Sequence, residues 1–168
     1  MRLRAISTCG ALLALLGPTE ALHAQSGAVA AVVQLYRAYA WEAVIDEPTQ
    51  PTLELMEQPG KVLARYFDDT LTALILTDRA CAARVHGECN LDFLPIWDGQ
   101  DPSGSAEMKI AATADPDVVA VTFRYLPNNQ MVHLSYRMTR TTRGWRIHDI
   151  VSSRGWSLLA LLRRAESE

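Results

Sequence analysis

EMKIAATADPDVVAVTFRYLPNNQMVHLSYRMTRTTRGWRIHDIV, residues Glu107–Val151, contains four β-type runs separated by turn chemistry: Glu107–Thr113, Asp117–Leu126, Gln130–Arg140 and Gly144–Val151. Asp115-Pro116, Pro127-Asn128-Asn129 and Thr141-Thr142-Arg143-Gly144 lie between them and supply the restricted or permissive φ values that hairpins require. Connections this short allow only antiparallel neighbours, because a parallel return needs a crossover of about a dozen residues or more. The stretch therefore reads as an antiparallel meander.

Side chains alternate sides along a strand, so parity separates two faces. Val119, Val121, Phe123 and Tyr125 share one face with Val132, Leu134, Tyr136, Met138, Trp145 and Ile147. The opposite parity carries Thr122, Arg124, His133, Ser135, Arg137, Arg146 and His148. One apolar and one polar face are what an antiparallel sheet with a solvated side shows. Alternation fails at Asp149, and a β-bulge or strand end near His148-Asp149 accounts for that.

Upstream, Met1–Ala24 reads as a targeting segment. Arg2 and Arg4 form a positive start, Ala5–Leu16 a short apolar core that Pro18 breaks, and Ala21–Ala24 a small-residue cleavage site ending at Ala24. The apolar run is too short for a bilayer of roughly 30 Å, and no later stretch reaches the ~20 apolar residues of a membrane span. Cys9, after Ile6-Ser7-Thr8, loosely resembles a lipid attachment site, but too little apolar sequence precedes it. Residues 25–168 then form one exported α+β domain, with the periplasm the expected compartment and secretion the second choice.

The chain has 16 basic and 19 acidic residues, and without the leader's Arg2, Arg4 and Glu20 its net charge is −4. No basic block is present, which argues against nucleic acid or an anionic membrane as the main partner.

Gly27–Glu47 reads as a first helix with Ser26 as N-cap, because Val29, Val32, Val33, Tyr36, Ala40, Ala43 and Val44 recur at helical steps before Pro48 and Pro51. Thr52–Gln58 adds a turn or two. Lys61–Val85 reads as a second long helix, with Leu63, Tyr66, Phe67, Leu71, Leu74 and Ile75 along one side and Gly87 as terminator. Asn90–Ser105, with Pro95, Gly99, Pro102 and Gly104, is loop. Trp156, Leu158, Leu159, Leu161 and Leu162 mark a short C-terminal helix. Helices followed by a meander predict an α+β domain with helices packed on one sheet face.

Cys81 and Cys89 are the thiols left after the leader, and an even pair in an exported chain favours a disulfide. The competing reading, a metal site with His86 between the two sulfurs, matches no zinc spacing. Neither a metal nor another cofactor is expected.

Cys81…Gly87-Glu88-Cys89, Leu91-Asp92-Phe93-Leu94-Pro95, Gly99-Gln100-Asp101 and the closing Gly144-Trp145-Arg146-Ile147-His148-Asp149-Ile150 resemble the bacterial domain of unknown function 3828 family over about Val29–Leu162. That resemblance implies an exported envelope protein with a nuclear transport factor 2-like, cystatin-like fold: a curved four-stranded sheet wrapped on helices, forming a cone whose mouth can bind a small molecule. Relatives of that fold include ketosteroid isomerase and non-catalytic binding modules, so the fold leaves function open. Relatives often dimerise through the exposed sheet face, which implies a possible homodimer here, although that face carries Arg and His in this chain.

Seven residues are candidates for a pocket or binding lip. Tyr66 and Asp69 are on the second helix, where the carboxylates of Asp68 and Asp69 otherwise read as solvated surface. Trp97, Asp98, Gln100 and Asp101 are in the Gly- and Pro-rich loop, where Asp101 otherwise caps loop amides. His133 lies on the polar sheet parity. No phosphate loop, nucleophile elbow or His-Glu metal motif occurs in the chain. The sequence therefore reads as a non-enzymatic ligand- or protein-binding module of the cell envelope. The alternatives are a small lyase, isomerase or hydrolase working in the cone mouth, and an inhibitor or immunity factor for a cell-wall-acting enzyme.

Overall fold

A computed structural model describes residues 18–44 and 54–164, with side chains from Gly27 onward. The meander forms as the turn chemistry requires. β1 (Ser105–Ala112), β2 (Val118–Tyr125), β3 (Gln130–Thr141) and β4 (Gly144–Ser152) pair in chain order, each antiparallel to the next. The sheet is curled, with helices on its apolar face and a short helix after it. Along β3, Val132, Leu134, Tyr136 and Met138 are buried while His133, Ser135 and Arg137 are exposed, so parity sets the two faces as the sequence predicts.

The expected bulge is at His148. Arg137 pairs with Asp149 but Met138 pairs with Ile147, leaving His148 as the extra residue. Beyond it Asp149 is only 1% exposed, and it organises the end of the chain. Its carboxylate accepts from Ser157 Oγ at 2.8 Å and from the Leu159 amide at 2.9 Å, at the start of the C-terminal helix Leu158–Arg163. A carboxylate at a helix N-terminus meets both unpaired amides and the positive end of the helix dipole.

Three helical expectations change. The first helix, α1, spans Pro18–Tyr39 and continues as a 3₁₀ turn, Ala40–Ala43. Ser26 is thus inside the helix rather than its cap. Ile45–Leu53, which holds the end of the expected first helix and the start of the Thr52–Gln58 piece, lies outside the described residues. Inside them, that piece is a single 3₁₀ turn, Leu55–Glu57.

The expected helix Lys61–Val85 is two helices, α2 (Gly60–Leu63) and α3 (Asp69–Val85). Between them, Tyr66 O accepts the Ile147 amide at 2.8 Å and the Asp68 amide donates to Ile147 O at 3.0 Å. This short bridge covers part of the free edge of β4, where an uncovered edge would invite pairing with another chain. Asp68 then caps α3 by accepting from the Leu71 amide at 2.8 Å. At the other end, His86 (φ 53°) rather than Gly87 takes the left-handed capping conformation.

α1 crosses β1, β2 and β4. Its Ala28, Val32, Leu35, Tyr36 and Tyr39 meet Val121, Phe123, Leu134, Tyr136 and Ile147 of the sheet, with Leu71 and Ile75 of α3 in the same core. Gly27 permits the close approach: a Cβ there would come within 2.9 Å of the Trp145 ring. The Cys81–Cys89 disulfide joins α3 to the following loop across 8 positions. In a chain-entropy account a loop of this size contributes about 2.5 kcal/mol by constraining the unfolded chain.

Candidate functional site

The loop after the disulfide builds the site. Leu94 and Gly99 close a tight turn, with the Leu94 amide donating to Gly99 O at 2.9 Å. Asp98 adopts φ 57° inside it, a left-handed conformation that Asp tolerates better than most residues. The Asp98 carboxylate is buried and accepts from Trp156 Nε1 at 2.6 Å and Ser152 Oγ at 3.0 Å. Arg154 donates to the Asp98 carbonyl at 2.9 Å. Asp98 therefore ties the loop to the turn that follows β4.

From the other side, Trp97 is held by Glu42. The indole Nε1 donates to Glu42 Oε2 at 2.7 Å, and Glu42 Oε1 accepts the Leu55 amide at 2.8 Å. Glu42 is 7% exposed, and burial pushes its carboxyl above the ordinary 4.5. The Tyr36 hydroxyl donates to Ile96 O at 2.7 Å and is 2.7 Å from the Tyr136 hydroxyl. A phenol has one proton, so Tyr136 is the donor to Tyr36. Burial raises both phenols, and it pushes Tyr39 up to about 12.

The Trp97 ring packs edge-on against Tyr36 at 5.5 Å and Phe123 at 5.7 Å, and Tyr36 against Tyr136 at 6.1 Å. Rings thus fill the space beside Glu42. Glu42 has the burial and the raised pKa expected of an acid–base residue. Both of its oxygens, however, are already engaged by N–H donors.

The open space lies outside this cluster. Trp97, Asp98, Gln100 and Asp101 line a cleft of about 260 Å³ with Tyr125, Asn128, Gln130 and Arg154. An adjoining recess of about 460 Å³ shares Asp98, Gly99, Gln100 and Arg154 and adds Phe93 and Trp156, whose rings meet edge-on at 4.9 Å. Asp101 is exposed and accepts from the Ser103 amide at 2.8 Å. Hydrogen bonds from the Ser103 side chain and backbone lower its pKa. It is a loop cap that also edges the cleft.

Four of the seven candidates come together, and three do not. Tyr66 packs against Tyr39 at 5.8 Å. Asp69 is exposed and paired with Arg143, far along the chain from the loop. His133 is exposed on the polar sheet face. Asp68 is not a solvated carboxylate: it is buried and 2.6 Å from His148 Nδ1. Among the described residues no group of three His, Cys, Asp or Glu is placed to hold a metal ion.

Glu42, Arg154, Trp156 and the Asn128–Gln130 turn were not among the sequence candidates. Glu42 carried a usable signal. Ala28, Val32, Leu35, Tyr39 and Glu42 recur at alternating four- and three-residue steps, which places a carboxylate on the buried stripe. The pairing of Asp98 with Trp156 joins two irregular segments 58 positions apart and carries no periodic signal.

No family model matches the sequence, and no curated protein does. Among solved structures, the chain is similar to a phospholipid-binding protein from Ralstonia solanacearum, determined in complex with a phospholipid. The two are 18% identical over 87% of this chain and 74% of that one, with a TM-score of 0.33. A likeness of that size carries no argument about what this chain binds.

Proposed function

We propose that this chain is an exported binding module of the bacterial cell envelope, of the domain of unknown function 3828 kind, and that its Trp97 cleft holds a small hydroxyl- and amide-bearing ligand such as an amino sugar. The observation that carries this reading is the convergence of Trp97, Gln100, Tyr125 and Gln130 on one open cleft. The Gln100 amide and the Tyr125 hydroxyl have no protein partner among the described residues, and Gln130 commits its side-chain oxygen to Asn128. The neutral donors and acceptors of Gln100, Tyr125, Asn128 and Gln130 suit sugar hydroxyl and acetamido groups, and the one acid and one base at the edge, Asp101 and Arg154, give the cleft no single charge that would select an ionic ligand. The disulfide supports an oxidising compartment, and no described helix is long and apolar enough to cross a membrane.

Isothermal titration with the trimer of N-acetylglucosamine tests the reading. Saturable binding is expected, and Gln130→Ala should weaken it about 2- to 10-fold, the worth of one neutral hydrogen bond. Absence of binding, or binding indifferent to Gln130→Ala and Gln100→Ala together, would count decisively against this cleft.

A further inference from the structure

A second groove lies on the other side of the Phe93 loop, between α3 and the segment after the disulfide. Its volume is about 410 Å³. Its accessible apolar lining is Leu91, Phe93 and Leu94, each half-buried, packed over the buried Met56 and Ile75. Its walls are fixed. The disulfide joins Cys81 to Cys89, and the buried Asp78 carboxylate accepts both the backbone amide and the side-chain amide of Asn90, each at 2.9 Å.

The rim specifies the occupant by charge. Glu54, Glu88 and Asp92 line the groove and have no basic partner among the described residues. Arg79, the one guanidinium in the lining, is already held by Gln58 O at 2.8 Å and Glu57 at 3.7 Å. We propose that this groove docks a basic segment of a partner protein, taking a lysine or arginine side chain lengthwise with its stem on the apolar lining and its charge at the acidic rim. Long basic side chains bury their methylenes in this way while keeping the charged end hydrated. A free polyamine fits worse, because its repeated charges would fall over the apolar Leu91, Phe93 and Leu94, where burying an unpaired charge is costly.

The test is fluorescence anisotropy of a dye-labelled tetralysine peptide titrated with the disulfide-intact chain. Saturable binding is expected. Ala82→Phe, which fills the groove without changing charge, should weaken it at least tenfold, and the double reversal Glu88→Lys with Asp92→Lys should abolish it. Circular dichroism would confirm that both variants fold, and if Ala82→Phe does not, the charge reversal alone decides. Tetralysine bound equally well by the charge-reversed protein would overturn the proposal, as would no binding at all. Folded Ala82→Phe binding as tightly as the parent would reduce the site to surface charge, and displacement by spermine at matching concentration would assign it to free polyamines. Either result would overturn the proposal as well.

Discussion

Asp98→Ala is expected to lower the unfolding free energy by about 3–4 kcal/mol, which for a domain of this size lowers the melting temperature by about 10 °C. The side chain of Asp98 is 1% exposed. Alanine would leave Trp156 Nε1 and Ser152 Oγ without their acceptor in a buried site, and each orphaned donor costs about 1–3 kcal/mol. Alanine is also a poorer occupant of φ 57° than aspartate, which adds up to about 1 kcal/mol. Asp98→Asn keeps an acceptor oxygen and tolerance of the left-handed conformation, so it should cost roughly half as much. Urea denaturation of the three proteins measures this directly. A loss below about 1 kcal/mol for Asp98→Ala would mean that Asp98 does not anchor the loop.

Glu42→Ala should cost about 3 kcal/mol for a related reason, because it orphans the Trp97 indole N–H and the Leu55 amide together. The pH dependence at this position has a definite sign. Burial holds the Glu42 carboxyl above its ordinary 4.5, so the folded state binds this proton more tightly than the unfolded chain does. Its contribution is complete below the ordinary glutamate range and declines as pH rises through the raised value. Glu42→Gln cannot titrate. Comparing it with the parent across that window isolates this one group from the other carboxylates. The parent should lose stability relative to Glu42→Gln as pH rises. A parent that gains on the variant over the same range would show that the hydrogen bonds from Leu55 and Trp97 outweigh burial.

The sheet was readable because its two signals are local. Alternation assigned Val132, Leu134 and Tyr136 to one face, and the Pro127-Asn128-Asn129 and Arg143-Gly144 turns fixed the hairpins. The broken parity at His148-Asp149 marked a bulge or a strand end, and the structure has the bulge, where one extra residue moves every later side chain to the other face. The helices were less readable because tertiary contacts decided their ends. Lys61–Val85 keeps a helical apolar period throughout, yet the backbone of Tyr66 and Asp68 pairs with Ile147, so the run cannot be one helix.

The same distinction separates the parts of the site. Trp97, Asp98, Gln100 and Asp101 are legible as candidates because a Gly- and Pro-rich loop held by a rigid scaffold is a common place for recognition. Their partners across the cleft, Gln130 and Arg154, reach them only through the curl of the sheet and the turn after β4. Asp69 and His133 lie on outward faces, where the solvated reading of the helix carboxylates and the polar sheet parity put them.

On the proposed reading a ligand is held at the Trp97 loop, outside the ring-filled interior. The most direct measurement is a titration of isotope-labelled protein with the trimer of N-acetylglucosamine, following backbone amide and indole N–H resonances. The largest shifts are expected at Gly99, Gln100, Asp101, Gln130 and the Trp97 indole. Shifts concentrated at Asp69, His133 or the opposite sheet face, with the Trp97 loop unmoved, would contradict it.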